Sequence, residues 1–202
     1  MLQIDHISKS FGEHRVLDGV TFTVERGEAV GLLGANGAGK TTLLRIVTRL
    51  LPPDSGEVRF DGHPMSQDDL RQIGYLPEER GLFRHMSVHE QALYFAQLKG
   101  MTRHEAEESL QQWFTRLNME EWRNRPANKL SKGMQQKLQF VITVAHHPAL
   151  LILDEPFSGF DAENSAMLRR ELLRLKQEGT AILLSTHNLT AANELCDKTI
   201  QL

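Results

Sequence analysis

Gly34-Ala35-Asn36-Gly37-Ala38-Gly39-Lys40-Thr41 fits the pattern G-x-x-x-x-G-K-[ST], and its flanks carry the context that pattern requires. Upstream, Glu28 to Leu33 is a short apolar run bounded by glycines, as a buried strand should be. Downstream, Thr42-Leu43-Leu44-Arg45-Ile46-Val47 places apolar residues at helical spacing. The stretch therefore predicts strand, loop and helix in succession. Small residues let backbone N–H groups close around a polyphosphate, and the helix N-terminus adds the positive end of its dipole. In that arrangement Lys40 reaches the β- and γ-phosphates and the Thr41 hydroxyl ligates Mg²⁺.

Outward from this loop the chain alternates strands and helices. Leu2, Ile4 and Ile7 alternate with polar positions, and Val16 to Val24 continues in β-branched and apolar residues. Pro52-Pro53-Asp54-Ser55-Gly56 reads as a turn before a short strand at Glu57 to Phe60, and Ile73 to Leu76 is a strand stopped by Pro77. From about Glu78 to Ala145 the texture is helical. Ser87…Glu90 and Thr102…Glu105 are capping boxes, and a further helix ends before Pro148. Strand and helix then return at Leu150–Leu153, Ala162–Glu178, Ala181–Ser185 and Leu189–Leu195. This order predicts an α/β domain with a mostly parallel sheet core, N-terminal antiparallel strands and an inserted helical subdomain. The expected division is a core over about 1–77 and 146–202, with the insert over about 78–145. Lys198 to Leu202 looks like the start of a strand, so a continuation is expected.

Composition narrows the partners. The 202 residues carry a formal net charge of −3 with acids and bases interspersed, which argues against a nucleic-acid face. One cysteine, Cys196, excludes an intramolecular disulfide. The apolar runs are far too short to cross a bilayer, so any membrane role is expected to come through a partner.

A second element of the site is Leu150-Leu151-Ile152-Leu153-Asp154-Glu155. Four apolar residues make a buried strand, and two carboxylates stand at its C-terminal end, where open α/β sheets bind ligands. Asp154 suits Mg²⁺ coordination and Glu155 is placed to accept a proton from an attacking water.

Between these elements lies Leu130-Ser131-Lys132-Gly133-Met134-Gln135-Gln136. It resembles the L-S-G-G-Q signature of ATP-binding cassette (ABC) ATPases, with Ser131 and Gly133 matching and Lys132 and Met134 departing. The resemblance extends over essentially the whole chain, and identifies the phosphate loop through Thr42 as an ATP site. It implies that Phe11 stacks on adenine and that Asp161, in Ser158-Gly159-Phe160-Asp161, contacts an opposing subunit. It also implies that His187 senses the γ-phosphate. Catalysis would then rest on Glu155, His187 and Lys40, and Mg²⁺ on Thr41, Asp154 and Glu78. At Glu78 the family normally has a glutamine.

Pro77-Glu78-Glu79-Arg80-Gly81-Leu82 and Leu130 to Lys137 together look like the subgroup serving ABC-2-type exporters, including sodium-extrusion ATPases. Members of that subgroup have a longer C-terminus, so the chain is expected to be truncated or a reduced form. The resemblance implies ATP-driven pairing with a second copy or a closely related ABC ATPase. Ser131 and Gly133 of one copy would cover the γ-phosphate held by the other. It further implies a separate membrane permease and a peripheral position on the cytoplasmic face of the membrane. The permease would dock in a groove near Glu78 to Leu98; Leu82, Phe83, Tyr94 and Phe95 either line it or form the insert's own core. Competing readings are a soluble ABC-type ATPase acting on DNA or ribosomes, a nucleotide-dependent regulatory module with negligible turnover, and a kinase or GTPase. The chain lacks the coiled coils, second cassette or basic face of the first, and the signature disfavours the last. His85, His89, His146 and His147 do not meet a metal-binding spacing.

Overall fold

A computed structural model describes residues 1–79 and 81–202; Arg80 of the Pro77–Leu82 stretch lies outside the described residues. Two sheets form. In the first, β1 (Leu2–Phe11) pairs antiparallel with β2 (His14–Val24) on one side and β4 (Ser55–Phe60) on the other, and β4 continues to a two-residue strand, β5 (His63–Pro64). The second sheet is parallel throughout. It contains β3 (Ala29–Leu33), β6 (Ile73–Leu76), β7 (Leu150–Asp154), β8 (Ala181–Thr186) and β9 (Lys198–Gln201), in the order β6-β7-β8-β3-β9. The expected antiparallel strands, mostly parallel core and intervening helices are all present. β5 and a 3₁₀ turn over Asp68–Gln72 are additions with no periodic signal in the sequence.

The parallel strands read as continuous apolar runs because both faces are covered. Ala29, Leu151, Leu153, Ile182 and Leu184 face one core with helices α2 (Val88–Leu98), α3 (Arg103–Arg116), α4 (Lys132–Val144) and α5 (Ala162–Gln177). Val30, Leu32, Leu150, Ile152 and Leu183 face the other, which joins the antiparallel sheet and α1 (Lys40–Val47). Burying each such leucine contributes roughly 2 kcal/mol, so the sheet is sandwiched and its strand ends are held rigidly.

Local signals place the helices. Ser87 Oγ accepts from Glu90 N while Glu90 Oε2 accepts from Ser87 N, and Thr102 and Glu105 repeat the exchange. Gly74 lets α4 lie directly on β6: a Cβ there would sit 2.4 Å from the Thr143 carbonyl oxygen. A last helix, α6 (Leu189–Leu195), precedes β9.

Candidate functional site

The glycine-rich loop joins the buried strand β3 to α1, and Gly39 makes the junction. Gly39 has φ 97°, a left-handed conformation favoured for glycine, and a Cβ there would press at 2.9 Å on Val16 O and Leu17. The turn sets the first residues of α1, whose N–H groups have no intrahelical acceptor, in the wall of a cavity of about 460 Å³. Lys40 is buried and its Nζ donates to Gly34 O at 2.7 Å and Ala35 O at 3.0 Å, so the ammonium is held against the loop.

The cavity's wall brings together residues far apart in the chain: Asn36, Gly37, Gly39, Lys40, Thr41 and Thr42 from the loop, Glu78, Glu155 and Ser158, and His187. Glu155 Oε1 lies 3.8 Å from Lys40 Nζ and 3.0 Å from His187 Nδ1. An adjoining cavity of about 380 Å³ is lined by Asp154 and shares Glu78, Glu155 and Ser158 with the first.

Two backbone facts orient the carboxylates. Glu155 has φ 46°, a strained conformation for a non-glycine residue, and it turns the chain sharply off the end of β7. The turn is held by Ser158 N donating to Glu155 O at 3.0 Å and Glu155 N donating to Ser185 Oγ at 2.9 Å. Ser185 Oγ in turn donates to Asp154 Oδ1 at 2.5 Å. Ser185 is fully buried at the end of β8, paired in register with Asp154. Sequence reading treats Ser185 only as a strand end; the signal was a hydroxyl closing an otherwise apolar strand. Behind the site, Tyr75 on β6 has its phenol pKa raised, by burial first and then by the Asp154 carboxylate.

Not every expected residue reaches this cavity. Ser131 and Gly133 line a separate cavity of about 380 Å³ together with Gly159 and Asp161. Ser131 caps α4 by accepting from Met134 N, and Asp161 caps α5 by accepting from Asn164 N at 2.8 Å. Gln136 Nε2 donates to Ser158 O at 2.7 Å, tying the signature helix to the segment after Glu155. Phe11 stands half-exposed at the end of β1, with Lys9 Nζ 5.9 Å from its ring centre, outside all three cavities. His89 is engaged with Glu107 and Arg123 in the helical region.

Thr41, Asp154 and Glu78 offer a hydroxyl and two carboxylates, hard oxygen donors of the kind Mg²⁺ takes. The donor set therefore fits that ion.

A phosphate loop closed by a strained carboxylate turn, on a parallel sheet flanked by an antiparallel one, defines a phosphate-loop nucleotide-binding ATPase. Comparison with known proteins narrows this. The model of the "ABC transporter" family matches residues 17–158. The ATP-binding protein YhaQ of Bacillus subtilis is 45% identical over 197 residues, 98% of this chain and 66% of YhaQ. NatA, an ABC transporter ATP-binding protein of the same organism, is 37% identical over 187 residues, 91% of this chain and 76% of NatA. The dimeric structure of the bacterial ABC transporter cassette MJ0796 superposes with a TM-score of 0.87 at 26% identity, covering 100% of this chain and 94% of that one. The chain belongs to the ABC transporter family, as one of its ATP-binding, ATPase-type cassettes. It spans about two thirds to three quarters of the length of the two curated relatives.

Proposed function

We propose that this chain binds Mg-ATP, hydrolyses it, and uses the cycle to open and close a pair of cassettes that drives a separate membrane permease, in the direction of export. The observation that carries the hydrolytic step is the convergence of Lys40, Glu155 and His187 on the phosphate-loop cavity.

Phosphoryl transfer to water needs charge neutralisation, an aligned water and exclusion of solvent. Lys40 and the N–H groups of the loop neutralise the phosphates. Glu155 accepts the proton of the attacking water, and His187, 3.0 Å away, fixes the direction of that carboxylate and meets the γ-phosphate. Thr41, Asp154 and Glu78 would hold Mg²⁺, which would supply positive charge against the developing charge of the phosphates. Glu78, in place of the family's glutamine, brings an extra negative charge to the same oxygen role. Solvent exclusion falls to a second copy or a closely related cassette, whose Ser131 and Gly133 would lie over the γ-phosphate. The dimeric form of the MJ0796 cassette supports this pairing. ATP then favours the closed pair by its differential affinity, and hydrolysis releases it.

The permease is proposed to dock in a groove of about 560 Å³ between the sheet and the helices. Leu82, Phe95 and Leu98 line it, while Phe83 and Tyr94 stand beside it in an aromatic cluster, with Phe83 stacked on Phe95 at 5.7 Å. The chain is proposed to work as two parts, a core over about 1–77 and 146–202 and a helical lever over about 78–145. Among the described residues no helix is long and apolar enough to cross a membrane. A peripheral position on the cytoplasmic face therefore relies on the permease. Export is supported by the two subgroup stretches and by the likeness to the Nod factor export ATP-binding protein I of Sinorhizobium fredii, 36% identical over 200 residues.

The decisive experiment is Glu155→Gln with steady-state phosphate release and scattering in ATP. Turnover is expected to fall by about a hundredfold or more while ATP still binds and a dimer accumulates. Turnover at the parent rate would remove Glu155 from its role.

A further inference from the structure

The permease groove and the carboxylate cavity lie back to back. They share Leu76, Pro77 and Gln139, and of these only Gln139 has a polar side chain. Gln139 is 8% exposed, in the middle of α4. Its Nε2 donates to Glu79 O at 3.3 Å, and its main-chain carbonyl accepts from Thr143 Oγ1 at 2.8 Å. Thr143 Oγ1 also lies 3.5 Å from Tyr75 O, and α4 rests on Gly74 with no side chain between. The signature helix is therefore in direct contact with both the strand β6 and the residue after Glu78.

A second amide holds the far side of the same connection. Gln91 on α2 is fully buried; its Oε1 accepts from Phe83 N at 3.3 Å, and its Nε2 donates to Met86 O and Ser87 O, each at 3.3 Å. Buried amides are costly to leave unpaired. Gln91 thus ties the segment from Phe83 to Ser87 to α2 at the border of the groove.

We propose that Gln139 is the positioning residue through which occupancy of the groove is felt at Glu78 and the hydrolytic carboxylates. This rests on the hydrolytic reading given above. Gln139 does not touch nucleotide or the reacting water; it holds Glu79, and through it the direction of Glu78.

The test needs no permease. Cys196 is the chain's one cysteine, and burial, followed by the Asp197 charge, pushes its thiol up to about 11. A Leu98→Cys substitution at the exposed groove rim therefore supplies the reactive thiol, and fluorescein maleimide attached there serves as the occupant. Phosphate release is measured against ATP concentration, with and without label. With Gln139 present, labelling is expected to change kcat by about fivefold, the equivalent of one hydrogen bond, with KM for ATP within about twofold. In Gln139→Met the label is expected to leave kcat unchanged. Gln139→Glu, which keeps the shape but loses the N–H donor, gives the same comparison should Gln139→Met fail to fold. An equal response to label in both backgrounds, or none with Gln139 present, overturns the proposal. Absence of turnover in the unlabelled chain, with ATP bound, overturns the hydrolytic reading itself and this inference with it.

Discussion

Replacing Ser185 with alanine removes one hydroxyl and breaks two contacts at once. Ser185 Oγ donates to Asp154 Oδ1 at 2.5 Å and accepts from Glu155 N at 2.9 Å, and the residue has no exposed surface. The first is a charge-assisted bond, worth about 1.5 kcal/mol or more, and its loss leaves a buried carboxylate short of a donor. The second leaves a partly buried backbone N–H without an acceptor, at a similar cost, on a residue already held at φ 46°. Together they amount to about 3 kcal/mol, which for a domain of this size lowers the thermal midpoint by about 6–12 °C. Urea titration followed by far-UV circular dichroism measures the stability, and phosphate release measures the consequence for Glu155. With the turn loosened, kcat is expected to fall about tenfold or more if Glu155 is the general base proposed above, since small misplacements of such a group are expensive. A Ser185→Ala protein within about 0.5 kcal/mol of the parent, the scatter of neutral surface changes, would show that the carboxylate turn is held by something else.

Lys40→Ala takes away the ammonium that meets the loop carbonyls, and calorimetric titration with ATP is expected to show a loss of affinity of at least about a hundredfold; unchanged affinity would refute the loop assignment. His146 is largely buried, and burial, then the Lys99 charge, depresses its imidazole to about 4. Its folded pKa lies below the ordinary value of about 6.5, so the stability it contributes is complete above that pH and is lost as pH falls toward 4. A His146→Gln protein should accordingly show a flatter stability profile over that window; an identical profile would exclude His146 as its source. Gly74→Ala forces a Cβ to within 2.4 Å of the Thr143 carbonyl, and a loss of about 3 kcal/mol or outright misfolding is expected in the same urea titration. A stability equal to the parent's would mean that α4 stands off β6.

Most of the element pattern could be read from the chain because its causes are local. The capping boxes at Ser87 and Thr102 start helices wherever they occur, and the alternation at Leu2 and Ile4 marks a strand with one covered face. Boundaries moved by a residue or two: α1 begins at Lys40, where the phosphate loop itself becomes its first turn, and α5 ends at Gln177. The strand β5 and the 3₁₀ turn over Asp68–Gln72 escaped notice, since two-residue pairing and a single turn carry no period. The choice between groove lining and insert core for four apolar residues was likewise beyond sequence reading. Leu82 and Phe95 border the cavity, Leu82 packing against the helical core as well, and Phe83 and Tyr94 stand beside it, a matter of which way a loop approaches a helix.

The chain alone determined the chemical parts: a loop able to wrap phosphate, a carboxylate at position 155, a histidine at 187, and a signature segment with a lysine at 132. Each is a short run whose covalent spacing is set by backbone geometry. Only the tertiary structure decided which parts meet. Asp154 and Ser185 are 31 positions apart and touch because β7 and β8 are parallel neighbours in register. Glu78 borders both the phosphate-loop cavity and the carboxylate cavity because β6 flanks β7. Strand order is fixed by how buried faces are covered, a property of the packed whole that no local pattern encodes.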